Sequence, residues 1–267
     1  MGVRQVVSGR RVASLIVVAL AGAPQIAMAE PVSLRMEMFG PAGVPVLTLH
    51  THLDETAGGY SVGVDYATTG MAKVFVDIHT RSEVQGRMTA TQEQPVSFRA
   101  DSTRNGTERH SRVDYRPDGT VIGGSTPPLP QPVAEGLTRG TVDNLTAYFR
   151  LERQLARTGS CAMRVAVFDG RHRYDLQFSD AGHRALTPSG GQNYQGDAIA
   201  CRMVRVERES NNDEQNEGAT GGTLWYARLV PGDELVPVRM QMDTQLGVVD
   251  AYLAEIRGRG VNLKLMQ

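Results

Sequence analysis

The stretch from Cys161 to Cys201 constrains this chain more than any other. Two segments alternating with a two-residue period, Cys161 to Phe168 and Arg171 to Phe178, flank Asp169-Gly170. Asp-Gly between such runs marks a hairpin, because both residues tolerate the positive φ of a type I′ turn. A two-residue turn sets Phe168 opposite Arg171, Val165 opposite Tyr174, Met163 opposite Leu176 and Cys161 opposite Phe178. On the other face Arg164 meets Asp175, an opposite-charge pair. Ala198 to Val206 follows as a strand with Ile199, Cys201 and Met203 on one face. In a flat meander the two cysteines would stand two strands apart, ~9.6 Å at the usual spacing. That exceeds the Cα separation a disulfide accepts. A bridge therefore requires strong curvature, a displaced strand end or a non-sequential strand order.

Strand patterns recur on both sides. In Val46 to Asp54, Leu47, Leu49, Thr51 and Leu53 share a face; in Tyr60 to Thr68, so do Tyr60, Val62, Val64 and Tyr66. Closure through Glu55 to Gly58 pairs Leu53 with Tyr60, Leu49 with Val64 and Leu47 with Tyr66, and a slip of one residue would set apolar against polar. Gly70 to His79 reads as a short helical turn leading into a strand. Arg87 to Ala90, Val96 to Ser102 and Thr107 to Tyr115 read as further strands, separated by Glu93-Gln94-Pro95 and Arg104-Asn105-Gly106. The Asn-Gly-Thr sequon at Asn105 fits an exposed loop. Pro117-Asp118-Gly119 is another turn, and Gly123 to Pro132, with four prolines and two glycines, is expected not to pair as a strand.

One segment has the helical period. Asp143 is a candidate N-cap, Leu145, Tyr148, Phe149, Glu152 and Leu155 form a stripe that is apolar except for Glu152, and Gly159 supplies the stop. Beyond the cysteines, Glu209 to Gly222 is a polar loop. Thr223 to Leu229 is a strand with the chain's single tryptophan, Trp225. Val236 to Met242 and Val248 to Ile256 form a last hairpin pairing Val238 with Leu253, Met240 with Ala251 and Met242 with Val249, and Val261 to Leu265 is an edge strand. About ten to twelve strands, most with one apolar face, and a single helix make a mainly β protein. The expected fold is one strongly curved antiparallel sheet, an unclosed barrel that curls to cover its apolar face, with a covering helix around residues 143–157.

The 267 residues carry a formal net charge of −1, which gives no electrostatic reason to expect a nucleic-acid or anionic-membrane partner. At the N-terminus Arg4, Arg10 and Arg11 precede the apolar run Val12 to Leu20, and Ala27-Met28-Ala29 forms a small-x-small site before Glu30. This is the pattern of a signal peptide cleaved after Ala29, and the run is shorter than the ~20 residues that span a bilayer. The expectation is a leader over residues 1–29, a single periplasmic β domain over 30–267, and no integral membrane segment once the leader is removed. In an exported chain two cysteines are most simply a disulfide, the alternative being two buried thiols.

The series Asp143-x-Leu145, Cys161, Val167-Phe168-Asp169-Gly170-Arg171-x-Arg173-Tyr174-Asp175-Leu176, Cys201, Trp225-Tyr226, Leu235-Val236-Pro237-Val238-Arg239 and Leu246-Gly247 resembles an uncharacterised exported bacterial family, DUF3108. The resemblance is densest over residues 141–256. It implies periplasmic residence and a curved antiparallel sheet, similar in outline to the unclosed barrels of outer-membrane lipoprotein carriers. It brings no catalytic residues.

Chemistry-bearing constellations are sparse. His50, His52 and Asp54 share a strand face and are the one weak candidate for a metal site, against a plain solvated face. Asp169-Gly170-Arg171 reads as a turn, and the chain holds no nucleophile elbow, phosphate-binding glycine loop or Cys-x-x-Cys. No cofactor and no catalytic residue is expected. The apolar residues Met163, Val165, Tyr174, Leu176, Met203, Met240 and Met242 are ordinary core or the lining of a lipid-sized cavity. Three readings follow. The first is a non-enzymatic periplasmic protein holding a hydrophobic small molecule such as a lipid or acyl chain. The second is a structural protein with a filled core that binds another envelope protein. The third is a metal-dependent hydrolase using His50 and His52.

Overall fold

A computed structural model describes residues 1–2, 30–89, 91–209, 219–230, 235–244 and 247–266. The expected leader, apart from its first two residues, and positions 210–218 of the polar loop lie outside the described residues. Fourteen strands follow one another: β1 Val32–Phe39, β2 Pro45–Glu55, β3 Gly59–Thr68, β4 Ile78–Met88, β5 Glu93–Arg104, β6 Thr107–Tyr115, β7 Val121–Thr126, β8 Met163–Phe168, β9 Arg173–Leu186, β10 Gly196–Glu207, β11 Gly221–Ala227, β12 Val236–Thr244, β13 Gly247–Gly258 and β14 Val261–Lys264. Two helical turns, α1 (Ala72–Phe75) and α2 (Glu135–Thr138), precede the one long helix, α3 (Asn144–Thr158).

All the strands belong to one antiparallel sheet in the order β7-β6-β5-β4-β3-β2-β1-β13-β12-β11-β10-β9-β8, with β14 on the rest of β13. Two meanders are thus joined back to back through β1 and β13. Such a sheet hides its apolar face only by curling, and the devices that curl it are visible. Register shifts interrupt β4 against β5 at Gln85/Gly86, opposite Pro95, and β11 against β12 at Trp225/Tyr226, opposite Pro237. A proline has no N–H to offer a ladder, so it sits where a bulge removes the need for one and adds twist.

Curling brings β7 and β8, the two ends of the sheet, near each other without pairing them. The chain before α3 fills the seam: Val142 N–H donates to the Ala166 carbonyl at 3.0 Å, and Phe168 N–H donates to the Val142 carbonyl at 2.9 Å. Gly140 N–H donates to Gly119 O in the β6–β7 turn at 2.9 Å, and the Tyr115 hydroxyl donates to Phe168 O at 3.0 Å. Gly170, at φ +91°, lies so close that an added Cβ would stand 2.9 Å from that of Ser111. The result is an unclosed barrel with its helix inside, as the alternation predicts.

The expected elements hold with instructive exceptions. β1 was not anticipated, although Val32, Leu34, Met36 and Met38 alternate with Ser33, Arg35 and Glu37. Arg87 is the tail of the longer β4, whose inward residues Thr80 and Ser82 are polar and hide the alternation; Thr80 and Ser102 hydroxyls satisfy each other at 2.9 Å. Gly123 and Gly124 do pair, opposite Val113 and Arg112, so the proline-rich run begins only after a short edge strand. Both anticipated hairpins are offset by two residues. Leu53 faces Val62 and Glu55 faces Tyr60; Phe168 faces Arg173 and Val165 faces Leu176. At the second, the loop is four residues long, because the Asp169 carboxylate accepts from Arg171 N–H at 2.9 Å and His172 N–H at 2.8 Å. Arg164 still donates to Asp175 at 2.9 Å, now diagonally. The Val236–Ile256 hairpin has the anticipated register.

The cysteines are bonded, with Cα atoms 5.7 Å apart. Of the three ways to reach that distance, the chain uses a displaced strand end. Cys161 lies ahead of β8, and its N–H donates to the Asp180 carboxylate at 2.6 Å, at the β9 position paired with Cys201. The chain thereby crosses β9 and delivers its sulfur to β10.

Candidate functional site

Helix α3 organises the interior. Asp143 caps it, accepting from Thr146 N–H at 2.8 Å and Thr146 Oγ1 at 2.7 Å, and Gly159 at φ +71° ends it. Thr146 Oγ1 also bonds the Tyr60 hydroxyl at 2.8 Å, and the Tyr60 ring stacks on Phe149 with centroids 4.6 Å apart. Gly86 on the neighbouring strand permits this, since a Cβ there would fall 2.2 Å from the Tyr60 ring. The Arg150 guanidinium donates to Glu93 O at 2.9 Å. These contacts fix the helix to β3 and β5.

The two sides of the helix do different things. Ala147, Leu151 and Leu155 pack into a dense cluster with Cys161, Val165, Leu176 and Cys201. The stripe Leu145, Tyr148, Phe149 and Glu152 instead forms one wall of a cavity of about 320 Å³. The opposite wall comes from β1 (Val32, Leu34, Met36, Met38) and from the inward row of the first hairpin (Leu49, Leu53, Val62, Val64, Tyr66). Tyr226, Val236, Met240 and Met242 close a third side. Its volume falls at the lower end of the ~300–1,000 Å³ of small-molecule sites.

The polar groups of the lining gather mainly at one end. Glu55, Arg153 and Glu152 meet there. Arg153 pairs with Glu55 at 3.6 Å and with Glu93 at 3.7 Å, and Arg259 reaches Glu55 at 3.8 Å. Glu152 has no hydrogen bond or ion pair among the described residues. Burial, with the Glu55 charge adding to it, pushes its carboxyl up to about 8, so it is mostly protonated at neutral pH. Asn144 lines the cavity further along α3, and its Oδ1 is buried without a hydrogen-bond partner.

Of the seven apolar residues singled out from sequence, Met240 and Met242 border this cavity. The other five, Met163, Val165, Tyr174, Leu176 and Met203, belong to the dense cluster around the disulfide, so the cavity is displaced from the cysteine hairpin toward β1–β3. Its wall is the apolar row of the first hairpin, the unanticipated β1 and the helix stripe whose one charged member, Glu152, was the available signal. His50 and His52 stand exposed on the outer face, His52 Nδ1 3.1 Å from the Ser33 hydroxyl, with half-buried Asp54 on the same strand. Among the described residues no group of three or more His, Cys, Asp or Glu is arranged to hold a metal. No helix among them is long and apolar enough to cross a membrane.

The model of a family described as a protein of unknown function, DUF3108, matches residues 34–254. No curated protein matches the chain. A solved structure similar to it is the crystal structure of a β-barrel-like protein of domain of unknown function DUF1849 from Brucella abortus. That protein is 10% identical, with 88% of this chain and 99% of the other covered and a TM-score of 0.49.

Proposed function

The chain belongs to the DUF3108 family of proteins of unknown function, and from that premise we propose that it is a non-enzymatic envelope protein holding one apolar ligand inside its curled sheet. The cavity of about 320 Å³ between α3 and β1–β3 carries this reading. Its walls are Met, Leu, Val and aromatic side chains, and four methionines (Met36, Met38, Met240, Met242) give it an adaptable surface. A closed-packed core of this size would be filled, since protein interiors tolerate few voids larger than a water molecule. The volume suits a single acyl chain or a comparably small terpenoid. Basic, apolar and small residues in sequence up to Ala29 support export, which places the protein in the periplasm.

Native mass spectrometry of protein purified without detergent tests this. The expected result is an adduct with the mass of a single-chain lipid, removed by organic extraction and restored by adding it back. Protein that is empty and takes up no apolar probe would overturn the reading.

A second reading, attachment to another envelope protein, is favoured by α1. Met71, Val74 and Phe75 are exposed there, an unusual grouping for a short turn in water. A photo-crosslinking residue at Val74 that captures one protein in cells would support it; capture of none would remove it.

A further inference from the structure

If the cavity holds an apolar ligand, its polar end states what the ligand's head must carry, and the inference rests on that reading. Arg153 is the cavity lining's one cation, and its guanidinium is already shared between Glu55 and Glu93. Glu152 lines the same end and accepts no hydrogen bond among the described residues. Asn144 lies eight residues earlier, roughly 12 Å along the helix axis at 1.5 Å per residue, too far to share one head group. The end of the cavity is therefore rich in acceptors and has no free donor cation. A carboxylate head would meet Glu152 and Glu55 with Arg153 already engaged. An ammonium would find the Glu152 carboxylate and exchange an unpaired buried carboxyl for a charge-assisted bond.

We propose that the cavity binds a single-chain amphiphile through an amine head seated on Glu152, its chain lying along Met36, Met38, Met240 and Met242. Glu152 acts as a binding residue, and the Glu55–Arg153–Arg259 group holds the surrounding charge in place.

The test compares dodecylamine, dodecanol and dodecanoate, each displacing a fluorescent apolar dye at pH 8.5, on the wild-type chain, Glu152→Gln and Glu152→Leu. Dodecylamine is expected to bind most tightly and dodecanoate most weakly. Glu152→Gln should weaken dodecylamine by about 10–100-fold, the value of a hydrogen bond to a charged group, and leave dodecanol within about threefold. Equal binding of amine and acid, or an unchanged amine affinity in both variants, overturns the head-group assignment and leaves the apolar cavity standing. Binding of none of the three to the wild type or to Glu152→Leu overturns both. Should the variants not fold, the wild type alone decides. Amine affinity must rise as pH passes about 8 and Glu152 ionises among its neighbours Glu55 on β2, Tyr226 on β11, and Tyr148 and Arg153 on α3. A flat profile overturns the assignment.

Discussion

Glu152 and Glu55 meet at the polar end of one cavity, yet arginines reach only Glu55, through Arg153 at 3.6 Å and Arg259 at 3.8 Å. The two carboxyls are thereby set apart in role. One is fixed in a charge network that ties α3 to the sheet, and the other is left unpaired in an apolar wall. Position on α3 decides this: Glu152 projects with Tyr148 and Phe149 into the cavity, while Arg153, one residue on, reaches both Glu55 and Glu93.

Stability should fall as pH rises from about 4.5 to 8. Glu152 is raised from 4.5 to about 8 and Asp143 from 3.8 to about 6, in both cases chiefly by burial. Each binds its proton more tightly folded than unfolded, so its stabilisation is full below the unfolded value and lost through the folded one. Asp175 works oppositely: burial raises it, but hydrogen bonds from Arg173, Arg164 and Arg208 outweigh that and hold it at about 2. Its contribution is lost only as pH falls toward 2. Urea melts from pH 3 to 9 should peak near pH 4 for these groups, and Glu152→Gln should gain roughly 3 kcal/mol at pH 8.5. A variant that follows the wild-type profile would show that Glu152 is ionised at little cost.

Removing the disulfide should cost about 3–4 kcal/mol, as expected for a bridge closing a loop of this length. Cys161 and Cys201 are fully buried and 40 residues apart in sequence. The check is the urea midpoint of the Cys161→Ala/Cys201→Ala protein against oxidised wild type. Reductant should bring the wild type to the same midpoint, and a midpoint unmoved by either change contradicts the bridge.

Much of this fold was legible because an antiparallel sheet with one buried face writes itself as alternation. Both misplaced hairpins slipped by two residues, the one error alternation cannot detect, since a two-residue slip leaves every side chain on its own face. Loop chemistry settled them: Asp169 accepts from two backbone N–H groups and so holds four residues, where Asp-Gly alone suggests two. Thr80 and Ser82 concealed most of β4, because two buried hydroxyls that bond neighbours look in sequence like an exposed face. The cavity was half legible. Leu49, Val62 and Glu152 stood in the right rows, but which apolar row is filled and which is left empty depends on how far the sheet curls. No local pattern records that.

The seam between the two ends of the sheet gives a third prediction. Gly170 combines a φ of +91° with contact against Ser111 and the Gly124 carbonyl at 3.3 Å from an added Cβ. Gly170→Ala should destabilise the protein by about 2 kcal/mol or more, through the strained backbone and the pushed-apart seam together. Gly136, where an added Cβ meets nothing within 4 Å and φ is ordinary, is the control, and Gly136→Ala should change stability by about 0.5 kcal/mol or less. Thermal melts of the two variants decide it, and equal values would mean that the seam is not held closely.

Val165 and Ala156 separate packed core from cavity. Val165 is buried in the cluster beside the disulfide, and deleting its methyl groups leaves a hole that dense surroundings do not fill. Val165→Ala should cost about 2–3 kcal/mol and leave uptake of an apolar probe unchanged. Ala156 sits one turn beyond Glu152, facing the cavity, so a larger side chain there enters empty space. Ala156→Leu should gain about 0.5–1.5 kcal/mol, because it buries apolar surface without displacing a neighbour and leucine suits a helix. The same substitution should weaken probe uptake at least tenfold by occupying the ligand's volume. Melting temperature and probe titration, measured on both variants, give opposite patterns if the interior is divided in this way. A destabilised Ala156→Leu with normal uptake would mean that the space beside α3 is already filled.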